Sequence, residues 1–170
     1  MPNYADINGR PMKKLQIQQY LRKLQLNDFE PAVNLATLTK LQDAHLKYIP
    51  YENFDCLNGK ITSLKRQDMF NKVIMHNRGG ICFELNGLYN WLLESLGFDV
   101  PSYSARFSDK METYQLRRHR VMCVALGDKR YLTDVGVNSE SPRVPLEITE
   151  GLIQSDGISQ YKFTRSEFWG

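Results

Sequence analysis

Arg78-Gly79-Gly80-Ile81-Cys82-Phe83-Glu84-Leu85-Asn86 is the stretch on which the reading of this chain turns, because a glycine pair delivers a cysteine onto the first turn of an amphipathic helix. Leu85, Leu88, Tyr89, Leu92, Leu93 and Leu96 follow at helical spacing, and Gly97 takes the C′ position that ends a helix. Gly79 and Gly80 are expected to adopt backbone angles that a residue with a Cβ resists. The free N–H groups and positive dipole end of a helix favour thiolate over thiol, and cysteines so placed titrate at roughly 3.5–7.5. A buried structural cysteine is the competing reading of Cys82.

Upstream of this stretch the pattern is helical. Leu15, Leu21 and Leu24 form a stripe in residues 14–26, and Leu35, Leu38, Leu41 and Ala44 form a second that runs to His45 and stops at Pro50. Residues 64–75, with Ser63 as N-cap, bury Phe70, Val73 and Ile74 on one side. Four helices thus fill residues 1–97. Beyond Gly97 the period changes to alternation in Phe98, Val100, Tyr103, Ala105 and Phe107, then in residues 121–126 and 130–135. The sequence therefore reads as α+β, with a helical bundle over residues 1–97 and antiparallel strands over residues 98–170.

Composition sets outer limits. In 170 residues, 42% hydrophobic and 24% charged, a core is buried without disulfide staples. No apolar run reaches a membrane span and residues 1–14 lack a signal-peptide centre, so no membrane partner and a cytoplasmic location are expected. Cys56, Cys82 and Cys123 make neither a disulfide framework nor a metal-ligand pair, and a net charge of +3 argues for no nucleic-acid partner. Cys56 and Cys123 sit among apolar neighbours and read as packing residues.

A thiolate that attacks an acyl carbon needs a base, and the base needs an orienter. Of the three histidines, His45 reads as a satisfied core or capping residue and His76 as a helix-end cation, whereas His119 begins a strand leading into a tight hairpin. If Gly127-Asp128 is a two-residue turn, Leu126 pairs with Lys129, Val121 stands opposite Asp134 and His119 opposite Gly136. His119 and Asp134 then share a face as diagonal neighbours, about 7–8 Å apart at Cβ. A three-residue turn without a bulge would separate them. Arg117, Arg118 and Arg120 surround His119, either to attract phosphates or as a solvated face.

These residues carry a family resemblance. The stretch from Arg78 to Asn86, preceded by His45-Leu-Lys-Tyr-Ile-Pro-Tyr-Glu-Asn-Phe54 and followed by His119 and Tyr131-Leu-Thr-Asp134-Val-Gly136, resembles the arylamine N-acetyltransferases from about Leu15 onward. The resemblance implies Cys82 as acetyl-accepting nucleophile, His119 as base and Asp134 as orienter. It also implies a papain-like cysteine-enzyme core in which a helical domain, residues 1–97, precedes a β-barrel domain, residues 98–170. Acetyl-CoA would be the cosubstrate, with no metal, and a small-molecule arylamine, hydrazine or related amine the acceptor, through a ping-pong acetyl-cysteine intermediate.

By the same resemblance Gly136, Asn138 and Ser139 would lie near the cofactor, while Phe54 and Val137 would line the acceptor pocket. Arg78 would support the catalytic loop through a salt bridge to Glu52 or Glu84. Two departures stand out. Val137 replaces a usual aromatic, which would widen the pocket, and the family's third, lid-like α/β region is not supplied by these residues. An open sheet edge would then invite homo-oligomerisation. The alternatives are a thiol hydrolase or transglutaminase-like enzyme, and a catalytically silent shortened family member.

Overall fold

The computed structural model describes residues 9–107, 116–137 and 140–166. The first helix, α1 (Lys14–Lys23), is shorter than the apolar stripe because Gln25 turns left-handed at φ 60°, and Leu26 N–H closes back onto the Leu21 carbonyl. Helix α2 (Leu35–Tyr48) starts where the Asn34 side chain accepts from Thr37 N–H at 2.8 Å, and it stops ahead of Pro50, which disfavours helical angles at the preceding residue. A four-residue turn, α3 (Phe54–Leu57), was not anticipated from the pattern; it buries none of its residues, so no apolar periodicity marks it.

The helix expected over residues 64–75 divides in two. Helix α4 (Arg66–Phe70) passes into a π-helical turn, Asn71–Met75, closed by His76 N–H on the Asn71 carbonyl at 2.9 Å. Ser63 does not cap it. Its hydroxyl donates to Asp68 Oδ2 at 2.6 Å, the carboxylate being a stronger acceptor than a hydroxyl is a cap, and the helix begins only after extended Lys65. Helix α5 (Cys82–Ser95) ends as its glycine requires: Gly97 has φ 94°, its N–H meets the Glu94 carbonyl, and Phe98 N–H meets that of Leu93, a Schellman closure.

The second half forms antiparallel strands β1 (Ser102–Ala105), β2 (His119–Leu126), β3 (Lys129–Thr133) and β4 (Leu146–Glu147) in that spatial order, with β5 (Ile153–Ser155) and β6 (Gln160–Lys162) as a separate pair. The Gly127-Asp128 turn does take two residues, since Leu126 pairs with Lys129 and Met122 with Thr133. The expected barrel is corrected: among the described residues the sheet is open. Its outer members β1 and β4 each have one partner strand, and β4 is too short to carry the ladder onward.

Helix α5 is the axis of the core. Ten consecutive residues from Glu84 to Leu93 are buried, so the helix is enclosed on all sides, against α4 and against β2. One apolar cluster joins both halves of the chain, with Leu24, Leu41, Phe70 and Val73 meeting Leu85, Leu88, Leu92, Met122, Val124 and Tyr131. Truncating any of the fully buried leucines to alanine costs about 2–5 kcal/mol on general grounds. A polar stitch completes the packing: Gln42 of α2 accepts from Thr133 Oγ1 and donates to the Pro142 carbonyl, each at 2.5 Å. Because α5 is held on every side, the residue at its first position is placed rigidly. No helix among the described residues is long and apolar enough to cross a membrane.

Candidate active site

Cys82 occupies the first position of α5 and is half-buried. The glycines ahead of it are needed for space rather than for left-handed angles, since neither has a positive φ. A Cβ on Gly79 would lie 2.0 Å from the Pro50 carbonyl oxygen, and one on Gly80 would lie 2.9 Å from Glu84 Cβ. This close approach lets Glu52 N–H bond to the Gly80 carbonyl at 3.0 Å, so residues 51 and 52 run alongside the cysteine loop. Ile81 N–H is taken by Glu84 Oε2 at 3.0 Å, which closes the first turn.

His119 and Asp134 meet as the hairpin register requires. The His119 Nε2 to Asp134 Oδ2 distance is 2.6 Å, with both residues buried. Burial pulls the imidazole pKa down, but the hydrogen bond to Asp134 and the proximity of the Asp134 and Cys82 charges outweigh it and raise it to about 9. Nδ1, the nitrogen that Asp134 leaves unused, is buried without a hydrogen-bond partner, while the Cys82 thiol rests on the Arg118 carbonyl at 3.6 Å. A buried imidazole–carboxylate pair and a helix-start thiol are thus assembled, an arrangement suited to nucleophilic acyl transfer.

A fourth residue completes this set. Asn86, one turn after Cys82, donates to Asp134 Oδ1 at 2.8 Å and to the Arg120 carbonyl at 2.5 Å, and accepts from Val135 N–H at 2.8 Å. The motif contained Asn86, but its task depended on where the strand would lie. Phe107, read only as a strand residue, sets its exposed ring 4.9 Å from the His119 ring. Tyr51 was also missed; burial raises its phenol pKa first, and the Cys82 and Cys56 thiols raise it further.

The remaining sequence candidates divide. Gly136 is buried directly against Cys82, where an added Cβ would lie 2.9 Å from Cys82 Cα and 2.6 Å from Asn86 Nδ2. Val137 is half-buried, its N–H bonded to Ser141 Oγ at 2.9 Å, and Phe54 opens α3 with its ring exposed. Asn138 and Ser139 lie outside the described residues. Among the described residues no group of three His, Cys, Asp or Glu side chains is gathered as a metal site.

Charge is organised beside the cysteine loop. Arg78 bonds Glu52 through Nε at 2.9 Å and Nη2 at 2.7 Å and reaches Asp55 at 3.3 Å, whereas Glu84 is held by Lys72 at 2.8 Å. Of the two partners foreseen for Arg78, Glu52 is the one it takes. Lys72 first, with Arg78, holds the Asp55 carboxyl down at about 2.

Three other readings change. Arg120 is not free for phosphate, because its guanidinium is bonded to Asn90 Oδ1 at 2.9 Å and Ser102 Oγ at 2.8 Å. Cys56 is exposed, since its apolar neighbours Phe54 and Leu57 are themselves exposed, whereas Cys123 is buried. His45 is in the core but unsatisfied: neither ring nitrogen has a partner, and burial between Tyr20 and Tyr89 pushes it down to about 3.

Comparison with known proteins places the chain in a family. A family model described as N-acetyltransferase matches residues 34–169. An arylamine N-acetyltransferase of Mycolicibacterium smegmatis is 35% identical over 152 residues, which are 86% of this chain and 55% of that protein. Proansamycin X synthase of Amycolatopsis mediterranei is 30% identical over 162 residues, 92% of this chain and 61% of that one. The solved arylamine N-acetyltransferase of Mycobacterium abscessus superposes with a TM-score of 0.86 at 28% identity, covering 99% of this chain and 57% of that structure. The chain thus spans somewhat over half the length of these relatives.

Proposed function

The chain belongs to the arylamine N-acetyltransferase family, and from that premise we propose that it transfers an acetyl group from acetyl-CoA to the nitrogen of an arylamine, hydrazine or related amine. Cys82 is the nucleophile, His119 the base and Asp134 the orienter. With the thiol proton held on His119 as an imidazolium, the Cys82 thiolate attacks the thioester carbonyl, and His119 passes that proton to the departing CoA thiolate. The amine then attacks acetyl-Cys82, its proton passes to His119, and the thiolate leaves. The cycle is ping-pong, with one covalent intermediate.

Within this reading Gly136, Asn138 and Ser139 lie near the CoA, while Phe54, Val137 and the exposed Phe107 ring contact the acceptor. Residues 1–97 and 98–170 act as the two lobes of a papain-like core that meet at the triad, in the cytosol, where thiols stay reduced. An unpaired edge of the β1–β4 sheet is the surface for any homo-oligomer.

The observation that carries the proposal is the buried 2.6 Å contact between His119 and Asp134 beside a thiol at a helix N-terminus. Incubation with acetyl-CoA followed by peptide mass spectrometry should find the acetyl group on Cys82, and His119→Gln should abolish it. Folded protein that never acquires the label overturns the reading and makes the chain a catalytically silent family member. Turnover of amides without acetyl-CoA would instead place it among the thiol hydrolases.

A further inference from the structure

Three carboxylates, Glu52, Asp55 and Glu84, converge beside the cysteine loop on two cations, and those cations have different reach. Arg78 touches Glu52 and Asp55. Lys72 touches Asp55 Oδ2 at 3.0 Å, Glu52 at 3.9 Å and both oxygens of Glu84, at 2.8 Å and 3.1 Å. Glu84 is almost wholly buried, its side chain 3% exposed, and among the described residues Lys72 is the one cation that meets it.

Each end of this bridge has a clear attachment. Glu84 Oε2 holds Ile81 N–H, and so fixes the peptide that leads into Cys82. Asp55 belongs to α3, which buries no residue of its own and carries Phe54. The Asp55 carboxylate is tied to Lys72, Arg78 and Lys60, and elsewhere in this segment Cys56 Sγ meets Thr62 Oγ1 at 3.5 Å and Asn58 Nδ2 donates to the Phe54 carbonyl. Lys72 therefore ties the cysteine loop to the segment that carries an exposed aromatic. It also neutralises a carboxylate in the first turn of α5, which would otherwise oppose a thiolate at Cys82. Lys72 lies in the π turn, where one extra residue per turn rotates the side chains away from the α-helical course, a device often found at functional sites.

Resting on the acetyl-transfer reading, we propose that Lys72 is a positioning residue: it holds α3 against the entry to the cysteine helix and so sets how the acceptor is bound. The tether is separable from the thiol chemistry, because His119 and Asp134 approach Cys82 from the sheet, away from this bridge.

The test compares wild type with Asp55→Asn, Lys72→Arg and Lys72→Met. Asp55→Asn cuts the ties of α3 to both Lys72 and Arg78 while leaving Lys72 on Glu84, and the Lys72 variants separate the two cations. Native-state chymotrypsin cleavage after Phe54 or Leu57 should quicken and the acceptor KM should rise, each by about five- to tenfold, as for loss of a partly exposed charge-assisted bond. The kcat and the pH profile of Cys82 alkylation by iodoacetamide should stay as in wild type. Lys72→Arg should restore the wild-type KM, and Lys72→Met should add slower alkylation, since Glu84 loses its counter-charge. If Lys72→Met does not fold, Arg78→Gln, which leaves the Lys72–Asp55 bond, decides between the two cations: cleavage as fast as in Asp55→Asn overturns Lys72 as the tether. Unchanged cleavage in Asp55→Asn overturns the tether, whether or not wild type is acetylated. Faster cleavage with an unchanged acceptor KM overturns the role in binding, as does an equal fall in every rate together with Tm. If wild type takes no acetyl label, the acetyl-transfer reading fails and the acceptor role with it, while the cleavage result still judges the tether.

Discussion

Asn86 fixes Asp134 from the same helix that carries Cys82. Its amide nitrogen donates to Asp134 Oδ1 at 2.8 Å and its oxygen accepts from Val135 N–H at 2.8 Å, so the amide has one sensible orientation. Asn86 and Cys82 are four residues apart on an α-helix and so share a face. The carboxylate bonded to His119 and the Cys82 thiol are therefore set in register by one buried side chain.

Replacing Asn86 with leucine removes these bonds without removing the other groups. Val135 N–H and the Arg120 carbonyl lose their partners, and Asp134 Oδ1 keeps only Gly136 N–H, at 2.8 Å. Each buried polar group so stranded costs about 1–3 kcal/mol. Urea denaturation should show Asn86→Leu less stable by at least about 2 kcal/mol, and acetylation of Cys82 should slow. A variant with a wild-type midpoint and labelling rate would contradict this role.

Two histidines should bend the stability profile in opposite directions. His119 is raised from 6.5 to about 9, so its contribution is full below 6.5 and is lost as pH rises through 9. The shift corresponds to at most about 3 kcal/mol, less after solvent screening at the mouth of the site. His45 is lowered from 6.5 to about 3, so its contribution is full above 6.5 and is lost as pH falls toward 3, by roughly 4 kcal/mol. Stability measured against pH should therefore peak near 6.5. His45→Phe should flatten the acid limb and His119→Gln the alkaline limb; an acid limb of unchanged slope in His45→Phe would refute the assignment.

Val137 sits next to the glycine that backs Cys82 and offers little surface for stacking. Introducing an aromatic ring there, Val137→Phe, should lower the KM for an arylamine by roughly three- to tenfold, the value of one aromatic contact, while leaving an aliphatic hydrazine unaffected. Steady-state kinetics with the two acceptors measures this directly. Equal changes for both would show that residue 137 does not face the acceptor ring.

The hairpin that joins His119 to Asp134 was legible because a Gly-Asp pair between two alternating runs fixes the register, and the side-chain period of two then dictates the shared face. Helix α5 was legible at both ends, from Gly80 to Gly97. The bridge through Lys72 was not, because it depends on a π turn that no hydrophobic period announces and on partners at residues 52, 55 and 84. Closure of the sheet was expected from the resemblance, not from the strands, and short β4 leaves it open. Cys56 was misjudged because apolar neighbours in sequence stood in for burial, and His45 because a core position was assumed to bring a hydrogen-bond partner.

At Gly136 the absence of a side chain is what gives Cys82 its position, since the strand end can approach the cysteine backbone only where no Cβ intervenes. One peptide bond further on, Val137 is half-buried and already carries a side chain. The tolerance of the chain to change therefore switches abruptly between two neighbouring codons. A library randomised at residue 137 leaves the Gly136–Cys82 approach as it is, whereas the same randomisation at residue 136 would displace Cys82 itself.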